Sequence, residues 1–191
     1  MLSVLMVDAC HKKPTPAPAP VQQGPNADSA AAARRRADSI AAAEAAARRR
    51  ADSIAAAEAA MRDAAARAAS ARTALTQMVH FDYDKSDLRP EDRAILDAKV
   101  PILQANADVK IRIAGHTDER GSDEYNLALG QRRAAAAKEY LVQRGISDSR
   151  IETVSYGEER PIAQGSDETA YQQNRRDEFE ITAGPQTLKT P

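Results

Sequence analysis

The sequence predicts an α+β fold, a two-layer βαβαβ-β sandwich preceded by a Pro-rich tether and a long Ala/Arg-rich helix. Three observations point to it. From Val79 onward, short stretches of alternating apolar and polar residues are separated by longer stretches of helical spacing. Before that point, Ala33–Ala46 reads ARRRADSIAAAEAA and Ala47–Ala60 repeats it without change. Near residue 78 the composition shifts from Ala, Arg and Pro to a mixture containing Val, Ile, Leu, Tyr and Gly. A chain of 191 residues accommodates one ordinary domain with extensions.

The N-terminal residues 1–10 form a short apolar run ending in a small residue and the only cysteine, Cys10. A lone cysteine cannot close an internal disulfide. Its setting resembles the end of a bacterial lipoprotein signal, in which cleavage precedes a cysteine that is then lipidated. The apolar run has no basic residues before it, so the natural start codon is expected upstream. Residues 11–27 form an extended, Pro-rich tether. No stretch reaches the ~20 apolar residues of a membrane span, so attachment to a membrane is expected through lipid.

Residues 28–78 are expected to form a helical spacer. Ala and Arg favour helix, and Glu44–Arg48, Glu58–Arg62 and Asp63–Arg67 are i,i+4 pairs in the favourable orientation. Ile40, Ala47, Ile54, Met61, Ala68 and Leu75 recur every seven residues, the pattern of a coiled-coil seam. The accompanying positions Ala43, Arg50, Ala57, Ala64, Ala71 and Met78 would give a thin core broken by an arginine, which favours a single solvated helix.

In the domain at residues 79–184, Val79, Phe81 and Tyr83 alternate with polar residues in a first strand. Asp87 and Pro90 suit the start of a helix ending near Asn106, with Ile95, Leu96, Ile102 and Leu103 on its apolar face and a kink or break at Pro101. Val109, Ile111 and Ile113 give a second strand ending at Gly115. A second helix runs from Asp123 to Arg144, with Leu127, Ala134, Ala137 and Leu141 facing the core and Gly145 ending it. Ile151–Tyr156 is a third strand. After a loop or short helix, Phe179 and Ile181 face the core from the last strand. Residues 185–191 are expected to be a disordered tail.

Charge separates the two regions. Residues 33–78 carry nine arginines against five acids, net +4, whereas residues 79–184 carry fifteen bases against twenty-one acids, net −6. The acidic domain argues against nucleic acid, whose affinity comes mostly from neutralising phosphates. Catalysis is not expected, and no metal or other cofactor is implied. There is no Gly-x-Ser-x-Gly elbow and no His pair at metal-ligand spacing.

The most informative stretch is Gly115–Arg133, GHTDERGSDEYNLALGQRR. It closes a strand, makes a polar turn and opens a helix, bringing the carboxylate of Asp118 near the guanidinium of Arg132 or Arg133. One acid beside one base suits a zwitterionic ligand, the acid taking its ammonium and the base its carboxylate. Helical geometry puts Arg132 and Arg133 on either side of the expected core face and does not choose between them.

These motifs, with Phe81-Asp82-Tyr83-Asp84-Lys85 before them and Ser155-Tyr156-Gly157-Glu158-Glu159-Arg160-Pro161 and Asn174-Arg175-Arg176 after them, closely resemble the OmpA-like peptidoglycan-binding domain. Within it they look most like the peptidoglycan-associated lipoprotein (Pal) family. The resemblance spans about residues 79 to 182. It implies that Asp118 and Arg133, fifteen residues apart, grip the free amino acid end of meso-diaminopimelate in the peptidoglycan stem peptide. It also implies that Tyr83, Asp84, Thr117 and Leu129 line the same pocket, while Asn174, Arg175 and Arg176 brace the loops. Asp177 stands where many relatives have an apolar residue. The whole chain would then be an outer-membrane lipoprotein facing the periplasm, anchored at Cys10, holding peptidoglycan without cleaving it. Its partners would be Tol proteins and its role envelope integrity and cell division. His11 after the cysteine agrees with outer-membrane sorting. The rival readings are a peptidoglycan anchor outside the Tol system and a coiled-coil envelope scaffold.

Overall fold

The computed structural model describes residues 27–190, so Cys10, His11 and the tether through residue 26 lie outside the described residues, and Ala27, expected to end the tether, opens the helix. Helix α1 runs from Ala27 to Thr76. The chain divides into two compact units, one ending at Ile54 and the other Ala55–Pro191. In the first, the described residues are helix, all but Ala31 exposed, with the hydroxyl of Ser53 donating to the Arg50 carbonyl.

The second unit contains the sheet. Its strands are β1 (Val79–His80), β2 (Lys110–His116), β3 (Ile151–Gly157) and β4 (Arg176–Ala183), and its further helices are α2 (Pro90–Ala105), α3 (Asp123–Gln143) and the short α4 (Glu168–Asn174). The strand order is β1-β4-β2-β3. β2 and β3 are parallel, a pairing that needs the crossover connection α3 supplies, and β4 runs antiparallel between β1 and β2. The core joins Phe81, Leu96, Leu103, Ile111, Ile113, Leu141 and Phe179 between sheet and helices. Among the described residues, no helix is long and apolar enough to cross a membrane.

Several elements differ from their sequence-based expectations. The first strand ends at His80, although Phe81 is still buried and its amide still donates to the Arg175 carbonyl at 3.0 Å. The chain then turns, with Asp84 at φ 56°, a conformation a short polar side chain tolerates. That turn carries Tyr83 out of the sheet and leaves it exposed. α2 continues unbroken past Pro101 to Ala105. Pro101 and Asp97 are both exposed, so the Asp97 carbonyl that proline leaves unpaired can turn to solvent. Leu127, expected in the core, is 39% exposed; Leu129 and Gly130 face inward instead.

The α3–β2 contact explains that shift. A Cβ on Gly115 would lie 1.9 Å from the Gly130 carbonyl oxygen, and a Cβ on Gly130 would lie 2.3 Å from the Ser155 hydroxyl. Two glycines therefore let helix and strand backbones touch, and they set which face of α3 is buried.

The last turns of α1 belong to this unit rather than to a spacer ending at residue 78. Ala71 and Leu75 are in the core. The buried Lys99 ammonium donates to the carbonyls of Ala74, Leu75 and Gln77 at 2.8, 2.8 and 2.6 Å, satisfying the orphan end of the helix. The segment expected to be a disordered tail is also held. Leu188 is buried, the Lys189 amide donates to Asn106 Oδ1 and its carbonyl accepts from Asn106 Nδ2, both at 2.8 Å.

Candidate functional site

The C-terminal end of β2, the start of α3, the loop after β1 and the end of α4 meet in one cleft. It is lined by Tyr83, Asp84, Thr117, Asp118, Leu129 and Arg133, together with Arg120, Tyr125, Asn126 and Arg175. All six pocket residues expected from the sequence are therefore neighbours. Arg132 is not among them; it is exposed, with its guanidinium 5.7 Å from the Tyr125 ring centre.

Asp118 follows β2 and is buried. Its Oδ2 accepts from Arg120 Nη2 at 2.6 Å and from Arg175 Nη1 at 3.0 Å, and its Oδ1 accepts from the Arg120 amide at 3.2 Å. Burial opposes ionisation of this carboxyl, but the bonds from Arg120 and Arg175 outweigh it and hold its pKa below the ordinary value. The two-residue turn that brings Arg120 back to Asp118 is followed by Ser122, whose hydroxyl accepts from the Tyr125 amide and caps α3.

Arg133, one turn after Gly130, is fully buried. Its Nε donates to the Lys85 carbonyl at 2.8 Å, Nη1 to His116 at 2.8 Å and Nη2 to Asp82 at 3.1 Å. It thus ties the loop after β1 to the end of β2. Burial lowers its pKa to about 10, opposed by the nearby acids Asp177 and Asp118, so it remains a cation at neutral pH. Its guanidinium lies 5.1 Å from the Phe81 ring centre.

The sequence assigned Arg175 to bracing alone, but it has two functions in the geometry. Its Nε donates to the Phe81 carbonyl at 3.0 Å, bracing the loop, while Nη1 reaches Asp118 within the cleft. Arg176 does brace, donating to the Arg160 carbonyl at 3.0 Å, and Asn174 holds the Ile162 and Ala163 amides at 2.8 and 3.0 Å. Arg120, Tyr125 and Asn126 are cleft residues that the motif pattern contains but spacing did not single out. Tyr125 donates its hydroxyl to Asp84, joining α3 to the β1 loop. Thr117 Oγ1 and Asn126 Oδ1 are buried in the cleft without a hydrogen-bond partner within the chain, so a water or a ligand's polar group can satisfy them.

Chemically, the cleft offers two carboxylates, three guanidiniums, three polar atoms without a partner in the chain, and tyrosine rings. Such an arrangement can hold a charged, polar group through ion pairs and hydrogen bonds. Comparison with known proteins agrees with the motif reading: a match to the OmpA family covers residues 80–175, half of the chain. The chain belongs to the OmpA family. The peptidoglycan-associated lipoprotein of Pseudomonas putida is 52% identical over 100 residues, 52% of this chain and 60% of that protein. The Haemophilus influenzae protein of the same name is 51% identical over 98 residues, 51% of this chain and 64% of that protein. The match thus spans about three-fifths of these relatives' length. Among solved structures, the peptidoglycan-associated lipoprotein of Burkholderia pseudomallei is 40% identical with a TM-score of 0.55, over 56% of this chain and 90% of that one. The C-terminal domain of Helicobacter pylori MotB, 21% identical with a TM-score of 0.52 over 56% of this chain and 84% of that one, shows the OmpA fold alone.

Proposed function

We propose that this OmpA-family chain is an envelope lipoprotein that holds peptidoglycan without covalent attachment and without cleaving it. Its cleft takes the free amino acid end of meso-diaminopimelate in the stem peptide, Asp118 receiving the ammonium and Arg133 the carboxylate. Tyr83, Asp84, Thr117 and Leu129 form the walls. Cys10 carries the lipid that anchors the chain in the outer membrane, so that lipid and wall act as two attachment points. The partners are Tol proteins, and the role is envelope integrity and cell division. What supports this reading is one observation: a buried carboxylate and a buried guanidinium line the same cleft, beside orphaned polar atoms that a zwitterion's own groups can satisfy.

The test is co-sedimentation of the full chain, with Cys10→Ser to keep it in solution, with purified sacculi. It should pellet with the wall and be released by free meso-diaminopimelate. Retention that diaminopimelate does not reduce would place the wall contact elsewhere, and absence of retention would overturn the anchor reading. Intact mass of the native envelope protein tests the lipid: an unmodified N-terminus would remove the second attachment point.

A further inference from the structure

The cleft around Asp118 leaves about 20 Å³ of free space, room for about one water molecule. The amino acid end of a stem peptide needs more, so one wall has to move. Thr117, Asn126, Leu129, Arg133 and Arg175 are buried, and both arginines are tied to backbone carbonyls. Tyr83, Asp84 and Tyr125 are exposed but make no bond to Asp118; Arg120, whose side chain is 32% exposed, is the solvent-facing residue that does. It belongs to the turn between β2 and α3, and Gly121 follows at φ +123°.

Arg120 is held on several sides by contacts that can be exchanged. Nη2 bonds Asp118 inside the cleft, while Nη1 lies 3.4 Å from Glu168, whose side chain is largely exposed. The guanidinium sits between two tyrosines, 3.9 Å from the Tyr83 ring centre and 4.4 Å from that of Tyr171, and its buried Nε has no partner. A cation between aromatic faces and against a carboxylate is the environment an ammonium would seek.

We propose that Arg120 is a displaceable latch: its guanidinium occupies on Asp118 the place of the ligand's ammonium, and binding exchanges one cation for the other. This rests on the diamino acid reading of the cleft. Exchange is favoured over addition because Asp118 Oδ2 already accepts from two guanidiniums, and a third cation would be repelled by both. Glu168 gives Arg120 an outer partner as it leaves, and the two tyrosine rings remain to face the incoming ammonium. The latch makes the ammonium the part of the ligand that opens the cleft. A molecule offering only a carboxylate has nothing with which to displace Arg120.

Calorimetric titration of the full chain (Cys10→Ser) with a stem-peptide fragment bearing the free amino acid end of diaminopimelate tests this. The titration compares the otherwise wild-type chain with Arg120→Met and Arg120→Gln, all checked by thermal melts. Removing the internal competitor should tighten binding about tenfold, the order of one charge-assisted hydrogen bond. The same fragment acetylated on that ammonium should bind none of the three. Unchanged or weaker binding by the folded variants would overturn the latch and make Arg120 a bystander or a direct ligand contact. Tight binding of the acetylated fragment to the variants would also overturn it, since the gain would then come from space alone. If the chain with Arg120 intact does not bind the unmodified fragment, the diamino acid reading itself fails.

Discussion

Lys99, Arg133, Arg150 and Arg175 direct donors to backbone carbonyls as well as, or instead of, carboxylates. Arg150, for example, reaches the carbonyls of Leu103, Asn106 and Val109, each at 2.8 Å, closing the end of α2. For Arg133 this changes what a substitution measures. Arg133→Ala removes three hydrogen bonds and opens a cavity where no solvent reaches, so it should lower stability by roughly 2–5 kcal/mol as well as wall binding. Asp118→Asn keeps the side-chain shape and removes the charge that receives an ammonium. It should weaken binding by about one to two decades, from a charge-assisted bond of ~1.5–3 kcal/mol, in a domain that still melts cooperatively. Arg132→Ala should preserve both stability and affinity. Titration with the stem-peptide fragment alongside thermal melts separates these effects, and full affinity in folded Asp118→Asn would move the ligand away from this cleft. The sequence placed Asp118 and an arginine at the same turn. It could not show the depth of Arg133, because periodicity put Leu127 on the core face. The Gly115–Gly130 approach that rotates the buried face of α3 is a contact between residues distant in sequence.

Most elements were legible from spacing alone. The alternation at Val109–Ile113 and Ile151–Tyr156 marks β2 and β3, the helical spacing from Asp123 with Gly145 after it marks α3, and the Ala/Arg repeat marks α1. The end of α1 was legible to within two residues from the composition shift near residue 78, but the burial of its last turns was not, because a uniform Ala-rich helix does not distinguish an exposed turn from a packed one. Leu75 packs into the core, and Lys99, on a different helix, caps the end of α1 through the carbonyls of Ala74, Leu75 and Gln77. Burial pushes the Lys99 pKa down to about 7, while three carbonyl acceptors favour its charged form. A chain starting at Val79 would lose Ala71 and Leu75 from the core and leave that ammonium without its acceptors. It should melt well below a chain starting at Ala55, by a difference of several kcal/mol from one buried leucine and one unsatisfied buried cation. Equal melting temperatures for the two would show that α1 ends outside the domain.

At the scale of the whole domain, two buried groups oppose each other in acid. His116 is buried, with neither ring nitrogen hydrogen-bonded. Burial, with Arg176 beside it, lowers its pKa to about 4. The unfolded chain takes up this proton near the ordinary histidine value of ~6.5, so folding stability is full above that pH and falls as pH drops toward 4. Asp177 has the reverse sign. On β4 it is completely buried, with both oxygens unpartnered. Burial raises its pKa well above the usual carboxylate value, against the attraction of Arg133 on α3 and with the repulsion of Asp92 on α2 adding to the rise. The folded state therefore holds a proton that the unfolded chain releases, and this contribution to stability is lost as pH rises through the folded pKa. Near neutral pH the domain thus carries the penalty of Asp177, and in mild acid relief at Asp177 offsets the loss at His116. Asp177→Ala should remove the penalty, raising the melting temperature at pH 8 by several degrees for ~1–3 kcal/mol. The variant should then lose stability more steeply than wild type between pH 6.5 and 4, because His116 acts there unopposed. Melting curves across that range decide the matter. A variant that melts lower than wild type at pH 8 would mean that ionised Asp177 is held by Arg133 and contributes net stability.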